Sequence, residues 1–198
     1  QEIGFIPGLN KNDPEYGLLY FGYGDGGSNN IKHPELGHHL KSFLGTIMRI
    51  DPAGNNSQNG KYGIPATNPF VNEKDPMTVK EIYAYGFRNP HRMAWDNANG
   101  NRMIATDIGE ANIEELNIIG NGGDYGWPSR EGDYGIATLR DMKTVFKLGK
   151  SDVDFYRRPF AQYDHEEGNA ISGGYIYEGD LAPLKSKYIF GDIVNGRM

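Results

Sequence analysis

The chain has 198 residues, a formal net charge of −6 and no cysteine. The acidic balance argues against a nucleic-acid surface, which needs a basic face, and the missing thiols exclude disulfides and thiolate metal sites. No run of about 18 apolar residues occurs, so no helix is expected to span a membrane.

Glycine is the commonest signal, with 28 in the chain, about twice the usual ~7% share. Aromatic residues make up 12%. Glycines and aromatics at short intervals suit many short strands joined by tight turns. In chain order, the N-terminus Gln1-Glu2-Ile3-Gly4-Phe5 lacks the pattern of a signal peptide. Leu18 to Tyr23 reads as a strand ending in the turn Gly24-Asp25-Gly26-Gly27. Ser28 to Phe43 is polar and histidine-containing, a loop or short helix. Thr46 to Ile50 alternates as a half-buried strand should, and Asp51-Pro52 ends it. Gly54 to Glu73, rich in Asn, Gly and Pro, reads as a long ordered excursion across a face.

Ile82 to Tyr85 and Met93 to Trp95 are strands flanking an Arg-Asn corner, and Asn97 to Gly100 is a hairpin turn. Arg102 to Thr106 and Glu115 to Ile119 follow as strands. Residues 139 to 158 are the least regular, a loop or an edge element. Ala170 to Tyr177 and Lys187 to Phe190 form a hairpin-like set, and the chain stops at Gly196-Arg197-Met198, just after a turn. Both ends read as cut, so the chain is expected to be an internal piece of a longer protein. The spacing of strand sets is propeller-like (blade repeats run to about 40–50 residues), but periodicity by itself leaves a β-sandwich open.

Three signatures carry the chemistry: Tyr85-Gly86-Phe87-Arg88-Asn89-Pro90-His91-Arg92, then Asp107-Ile108-Gly109-Glu110 leading into Glu114-Glu115-Leu116-Asn117, then Gly122-Gly123-Asp124-Tyr125-Gly126-Trp127-Pro128. Each sets polar groups at a strand end or turn, where a scaffold presents chemistry. Taken with Leu19-Tyr20, Asp25-Gly26-Gly27, Leu44 to Pro52 and Ser172 to Tyr177, the series resembles the soluble glucose/sorbosone dehydrogenase family. That family contains quinone-dependent aldose dehydrogenases and the propeller of hedgehog-interacting protein. The resemblance implies an all-β fold, about half of a six-bladed β-propeller of four-stranded antiparallel blades. Residues 1–198 then form part of a single domain truncated at both ends.

The resemblance also implies a reaction: oxidation of the anomeric carbon of an aldose by hydride transfer to pyrroloquinoline quinone (PQQ), assisted by Ca²⁺, with an external electron acceptor and a periplasmic or secreted location. By motif position, Asp25 matches the aspartate that orients a histidine base, although it also suits a glycine-rich turn. The base itself falls about three residues before Gln1, by a spacing with the usual boundary error. None of His33, His38, His39, His91 and His165 stands there. Arg88 and Asn89 match the pair that contacts the quinone, where a guanidinium stabilises developing charge; the structural reading is an anchor for the corner. His91 and Arg92 are expected to be solvated turn residues.

Gly109 and Glu110 match carbonyls that hold the cofactor-side Ca²⁺, though Ile108 and Glu110 depart from the polar-Gly-Pro pattern of the quinone enzymes. Glu115 and the main-chain carbonyl of Tyr125 match a second Ca²⁺ site, with hard oxygen ligands; alternatively Glu114 and Glu115 are one exposed and one hydrogen-bonded carboxylate. Trp127 reads as packing; His165, in Tyr163-Asp164-His165, could line a substrate mouth or form a structural pair with a nearby Asp. Glu178 falls where a lysine meets the quinone carboxylates, and Arg197 is the candidate replacement cation. The alternative function is a non-catalytic propeller that binds a protein or glycan on the same face.

Overall fold

The computed structural model describes residues 2–27, 33–149 and 155–198. Parts of the polar stretch 28–43 and of the irregular stretch 139–158 therefore lie outside the described residues. Strands β1 (Ile3–Phe5), β2 (Leu19–Tyr23), β3 (Thr46–Ile50) and β4 (Ile82–Tyr85) form an antiparallel meander in sequence order. Strands β5 (Pro90–Asp96), β6 (Arg102–Asp107) and β7 (Ile113–Ile119) begin a second sheet. The chain then leaves it for a three-stranded sheet of β8 (Arg130–Glu131), β9 (Tyr134–Thr138) and β10 (Asp141–Lys147). It returns as β11 (Ala161–Asp164), which pairs with β7 and completes the order β11-β7-β6-β5. A hairpin of β12 (Ile171–Ile176) and β13 (Tyr188–Asp192) follows.

The two four-stranded sheets share one core. Leu18, Tyr20, Ile47 and Ala84 of the first sheet meet Met93, Met103, Ala105 and Ile119 of the second, with Phe87 and Tyr125 filling the gap between them. The second sheet meets β2 of the first sheet through β5, and β12 of the following hairpin through β5 and β6, so successive sheets stack as propeller blades do. Gly22 marks how closely they approach: a Cβ there would lie 2.4 Å from the Pro90 carbonyl oxygen.

Two strands differ from their sequence patterns. Thr46 to Arg49 alternates like a half-buried strand, yet it is buried on both faces: Ile47 lies in the shared core, Arg49 is bonded by Thr67 and Asn68 of the 51–81 excursion, and Met48 on the other face shares a hollow with Phe43, Leu44 and Tyr62. His91 and Arg92 are not turn residues. They lie on β5, which starts at Pro90, and His91 is half-buried. The β8–β10 sheet has a separate small core of Trp127, Ile136 and Met142. Its edge strand β10 realises the edge-element alternative for residues 141–147.

Candidate active-site face

The Arg88 corner is built by one buried carboxylate. Asp107, at the end of β6, accepts the main-chain N–H of Arg88 on Oδ2 at 3.0 Å and that of Asn89 on Oδ1 at 2.6 Å. The Asn89 carbonyl accepts the Ile108 N–H at 3.1 Å, which ties the loop after β6 back to the corner. On the other side, the Arg88 carbonyl accepts the Asp25 N–H at 2.8 Å. The structure therefore brings Asp25, Arg88, Asn89 and the 108–110 loop into one contiguous patch.

Within that patch the guanidinium of Arg88 is engaged. Its Nε and Nη2 donate to the same oxygen, Oε2 of Glu110, at 3.0 and 2.7 Å, and Nη1 reaches the Ile108 carbonyl at 3.4 Å. Both side chains are about three-quarters buried. The side-chain amide of Asn89 makes no hydrogen bond among the described residues, so its donors and acceptor are unspent at the same corner. Asp25 is buried. Its Oδ1 accepts the Gly27 N–H at 2.9 Å and its Oδ2 accepts Nε1 of Trp127 at 3.2 Å. Trp127 thus both packs and fixes this carboxylate.

The loop 109–112 rests on a residue that motif reading passed over. Glu131, fully buried on β8, accepts the N–H groups of Glu110 and Ala111 on Oε1 and the Asn112 side-chain amide on Oε2 at 2.6 Å. Gly109 sits where only a glycine fits: a Cβ would lie 2.0 Å from the Ile113 carbonyl oxygen and 2.5 Å from Glu131 Oε1. No local pattern marks Glu131, because its partners lie some twenty residues earlier. Asp107 was visible as the first residue of its signature, but without an assigned role.

Behind the loop the carboxylates crowd. Asp107 and Glu115 are register partners across β6 and β7. Burial pushes the Asp107 carboxyl well above the usual carboxylate range and Glu115 adds to this, while the two corner N–H groups oppose it. Burial likewise raises Glu115, against hydrogen bonds from Asn117 and the Gly132 N–H. Glu114 is 0% exposed and is also raised by burial; it accepts the Ile171 N–H at 3.0 Å and pairs with His165 Nε2 at 2.9 Å. Both glutamates are buried, not one exposed and one bonded, and His165 is paired with Glu114 rather than with the neighbouring Asp164. Asn117 Oδ1 is buried beside Glu115 and has no hydrogen-bond partner among the described residues. Arg130, buried nearby, donates Nη2 to the Arg157 carbonyl at 2.7 Å, and its Nε and Nη1 have no partner among the described residues.

The remaining sequence-derived candidates lie elsewhere. Tyr125 stacks on Phe87 in the shared core at 4.4 Å, and its hydroxyl donates to the Ile118 carbonyl at 2.7 Å. Its main-chain N–H donates to the Tyr85 carbonyl at 3.0 Å, so its segment runs beside β4. Arg197 donates Nη1 to the Glu167 carbonyl at 2.9 Å and bridges through its backbone to Asp192. No described contact joins it to the Arg88 patch. Glu178 is exposed. Among the described residues, no three His, Asp or Glu side chains are grouped so that they could hold a metal ion. A cation here would have to use carbonyl or amide oxygens as well.

The profile of the glucose/sorbosone dehydrogenase family matches residues 11–197. The chain is 30% identical over 201 residues to HIPL1 protein of Arabidopsis thaliana, covering 89% of this chain and 27% of that protein. It is 28% identical over 156 residues to aldose sugar dehydrogenase YliI of Escherichia coli, covering 76% and 36%. The apo form of the soluble aldose sugar dehydrogenase from Escherichia coli superposes with a TM-score of 0.68 at 22% identity, covering 91% of this chain and 46% of that one. The PQQ-bound aldose sugar dehydrogenase of Streptomyces coelicolor superposes at 0.55 with 25% identity, covering 91% and 47%. The chain spans about a quarter of the length of HIPL1 and just under half of these two structures. With antiparallel sheets stacked as blades, the Asp25–Arg88–Glu110 patch between them and a family profile running over nearly its whole length, this chain belongs to the glucose/sorbosone dehydrogenase family.

Proposed function

We propose that the protein oxidises the anomeric carbon of aldose sugars, using PQQ and Ca²⁺ held on the face that carries Arg88. The observation that carries this reading is the convergence of Asp25, the Arg88-Asn89 corner and the 108–110 loop, three sequence-separated segments, on one patch. The donor set fits a cation-bridged anion. Arg88 and the unspent Asn89 amide supply donors, and Glu110 and the loop carbonyls supply hard oxygens suited to Ca²⁺. A second Ca²⁺ is supported by Glu115 and the orphaned Asn117 Oδ1. When bound, the quinone supplies the hydride-accepting chemistry.

This chain's own residues orient and polarise. The Arg88 guanidinium provides positive charge at the corner, where a preorganised donor acts without reorganisation. Asp25, gripped by Trp127 and Gly27, is the carboxylate that orients a base. Glu110 holds Arg88 in place through two hydrogen bonds. The proposed reading carries a periplasmic or secreted location and an external electron acceptor with it. The experiment is reconstitution of the full-length protein with PQQ and Ca²⁺, followed by dye reduction with a panel of aldoses. Sugar-dependent turnover supports the reading, and no turnover with any sugar rejects it.

The Arg88–Glu110 ion pair favours one other reading, a non-catalytic propeller that binds a protein or glycan. A carboxylate already seated on the guanidinium competes with an anionic cofactor. Absence of PQQ binding by the full-length protein, measured by visible absorbance after gel filtration, would select it.

A further inference from the structure

The connection between β3 and β4 runs through residues 51–81, far longer than most loops between neighbouring strands. Its own bonds order it. Asp51 and Gly63 exchange main-chain hydrogen bonds at 2.8 and 2.7 Å, and the Asn68 side chain donates to the carbonyls of Arg49 and Lys80 at 3.0 and 2.9 Å. With Phe43, this excursion walls a cavity of about 780 Å³, within the ~300–1,000 Å³ range of small-molecule sites. A second hollow of about 390 Å³, lined by Phe21, Leu44, Met48 and Ile50, adjoins it. Phe43, Tyr62 and Glu81 line both, so the two hollows meet at these side chains. None of the residues of the Arg88 patch lines either.

The chambers differ in chemistry. The larger combines aromatic surface with polar groups that have capacity to spare. The Gln58 amide makes no hydrogen bond among the described residues. Asn59 spends only Oδ1, which accepts Ser57 Oγ at 3.1 Å and the Lys61 N–H at 3.0 Å, so its NH₂ is unspent. Glu81 spends Oε1 on the Tyr62 hydroxyl at 2.6 Å and keeps Oε2. Such a wall suits a ligand with several hydroxyls and an apolar ring face. The smaller chamber is almost wholly apolar. A purely apolar ligand spanning both would leave the amides and the carboxylate unpaired, which is costly; a bare sugar would leave the apolar hollow unfilled.

We propose that the joined chambers bind a glycoside, with the sugar ring in the larger chamber and an apolar aglycone in the smaller. The site is separate from the Arg88 patch and independent of its chemistry.

The test is calorimetric titration of the full-length protein with phenyl glucoside, phenyl galactoside and phenyl xyloside, each compared with its parent sugar and with phenol. At least one glycoside is expected to bind about tenfold or more tighter than either of its halves. Phe43→Ala and Gln58→Ala, both at exposed positions, should each weaken that binding several-fold with an unchanged melting temperature. Arg88→Ala should leave it unaltered, which separates this site from the redox reading. Phenol or the free sugar binding as tightly as every glycoside would overturn the proposal. So would the absence of glycoside binding at millimolar concentration, or affinity indifferent to both cavity variants.

Discussion

Arg88 shows how one side chain can belong to both structure and function. It is held by Glu110, a partly buried contact of the kind worth about 1 kcal/mol or less when near the surface. Arg88→Ala is therefore expected to lower the rate of the reconstituted full-length protein by about 10²–10³-fold while moving the melting temperature little; a parallel loss of both would mark a structural role. Gly109→Ala drives a methyl group into the Ile113 carbonyl and Glu131. Overpacking of this kind costs about 1–3 kcal/mol, so a thermal melt should show a clear drop, and an unchanged melt would mean that the loop yields freely. His91 offers a pH test. Burial holds its imidazole below the ordinary histidine range, Arg92 adds to this, and Glu2 and a hydrogen bond with Ser172 oppose it. The unfolded chain takes up this proton near about pH 6.5, more readily than the folded one. Stability from this residue is thus fully present above that pH and is lost as pH falls toward the folded pKa. The fall in melting temperature between about pH 7.5 and about pH 5.5 should be smaller in His91→Phe than in the parent. An equal fall removes His91 as the cause.

Strands and loops were unequally legible. β2, β3, β4, β6 and the β12–β13 hairpin could be read from apolar runs bounded by Gly, Asp or Pro. β8–β10 could not, because β10 buries only Met142 along Asp141–Lys147 and so shows no alternation. The excursion was legible as ordered over Gly54 to Glu73, though it spans 51–81 and its anchor was not legible. Its anchor is Arg49 on β3, almost fully buried, whose Nε donates to Asn68 Oδ1 at 2.8 Å, Nη2 to Thr67 Oγ1 at 2.8 Å and Nη1 to Glu15 Oε1 at 2.7 Å. The guanidinium also lies over the Tyr83 ring at 4.8 Å. Leaving buried hydrogen-bond partners unpaired costs about 1–3 kcal/mol. Arg49→Met, which strands Asn68 and Thr67, is therefore expected to lower the melting temperature by roughly 2–12 °C for a domain of this size. A shift within error would show that the excursion is held by its other bonds.

At the scale of the molecule, the two four-stranded sheets share a core, the β12–β13 hairpin contacts the second of them, and the buried carboxylates Asp107, Glu114, Glu115 and Glu131 lie on β6, β7 and β8. Burial raises Asp107 and Glu115 against the positive charge of Arg88 and Arg130, and a bound cation would offset that burial further. If Glu115 and Asn117 take Ca²⁺, saturating calcium adds about 2.7 kcal/mol at a hundred times Kd, and chelation should lower the melting temperature by several degrees. A melting temperature that responds neither to Ca²⁺ nor to chelator removes that site.

By itself the amino-acid order determined β2, β3, β4, β6 and the β12–β13 hairpin, the Arg-Asn corner and the family, because turns, apolar alternation and short motifs are local and survive in one dimension. Only the tertiary structure decided that Glu110 occupies Arg88, that Glu131 carries the 109–112 loop and that Glu114 and Glu115 are both buried. Those outcomes depend on which groups meet across stacked sheets, and hydrogen-bond partners some twenty to sixty residues apart leave no periodic trace along the chain.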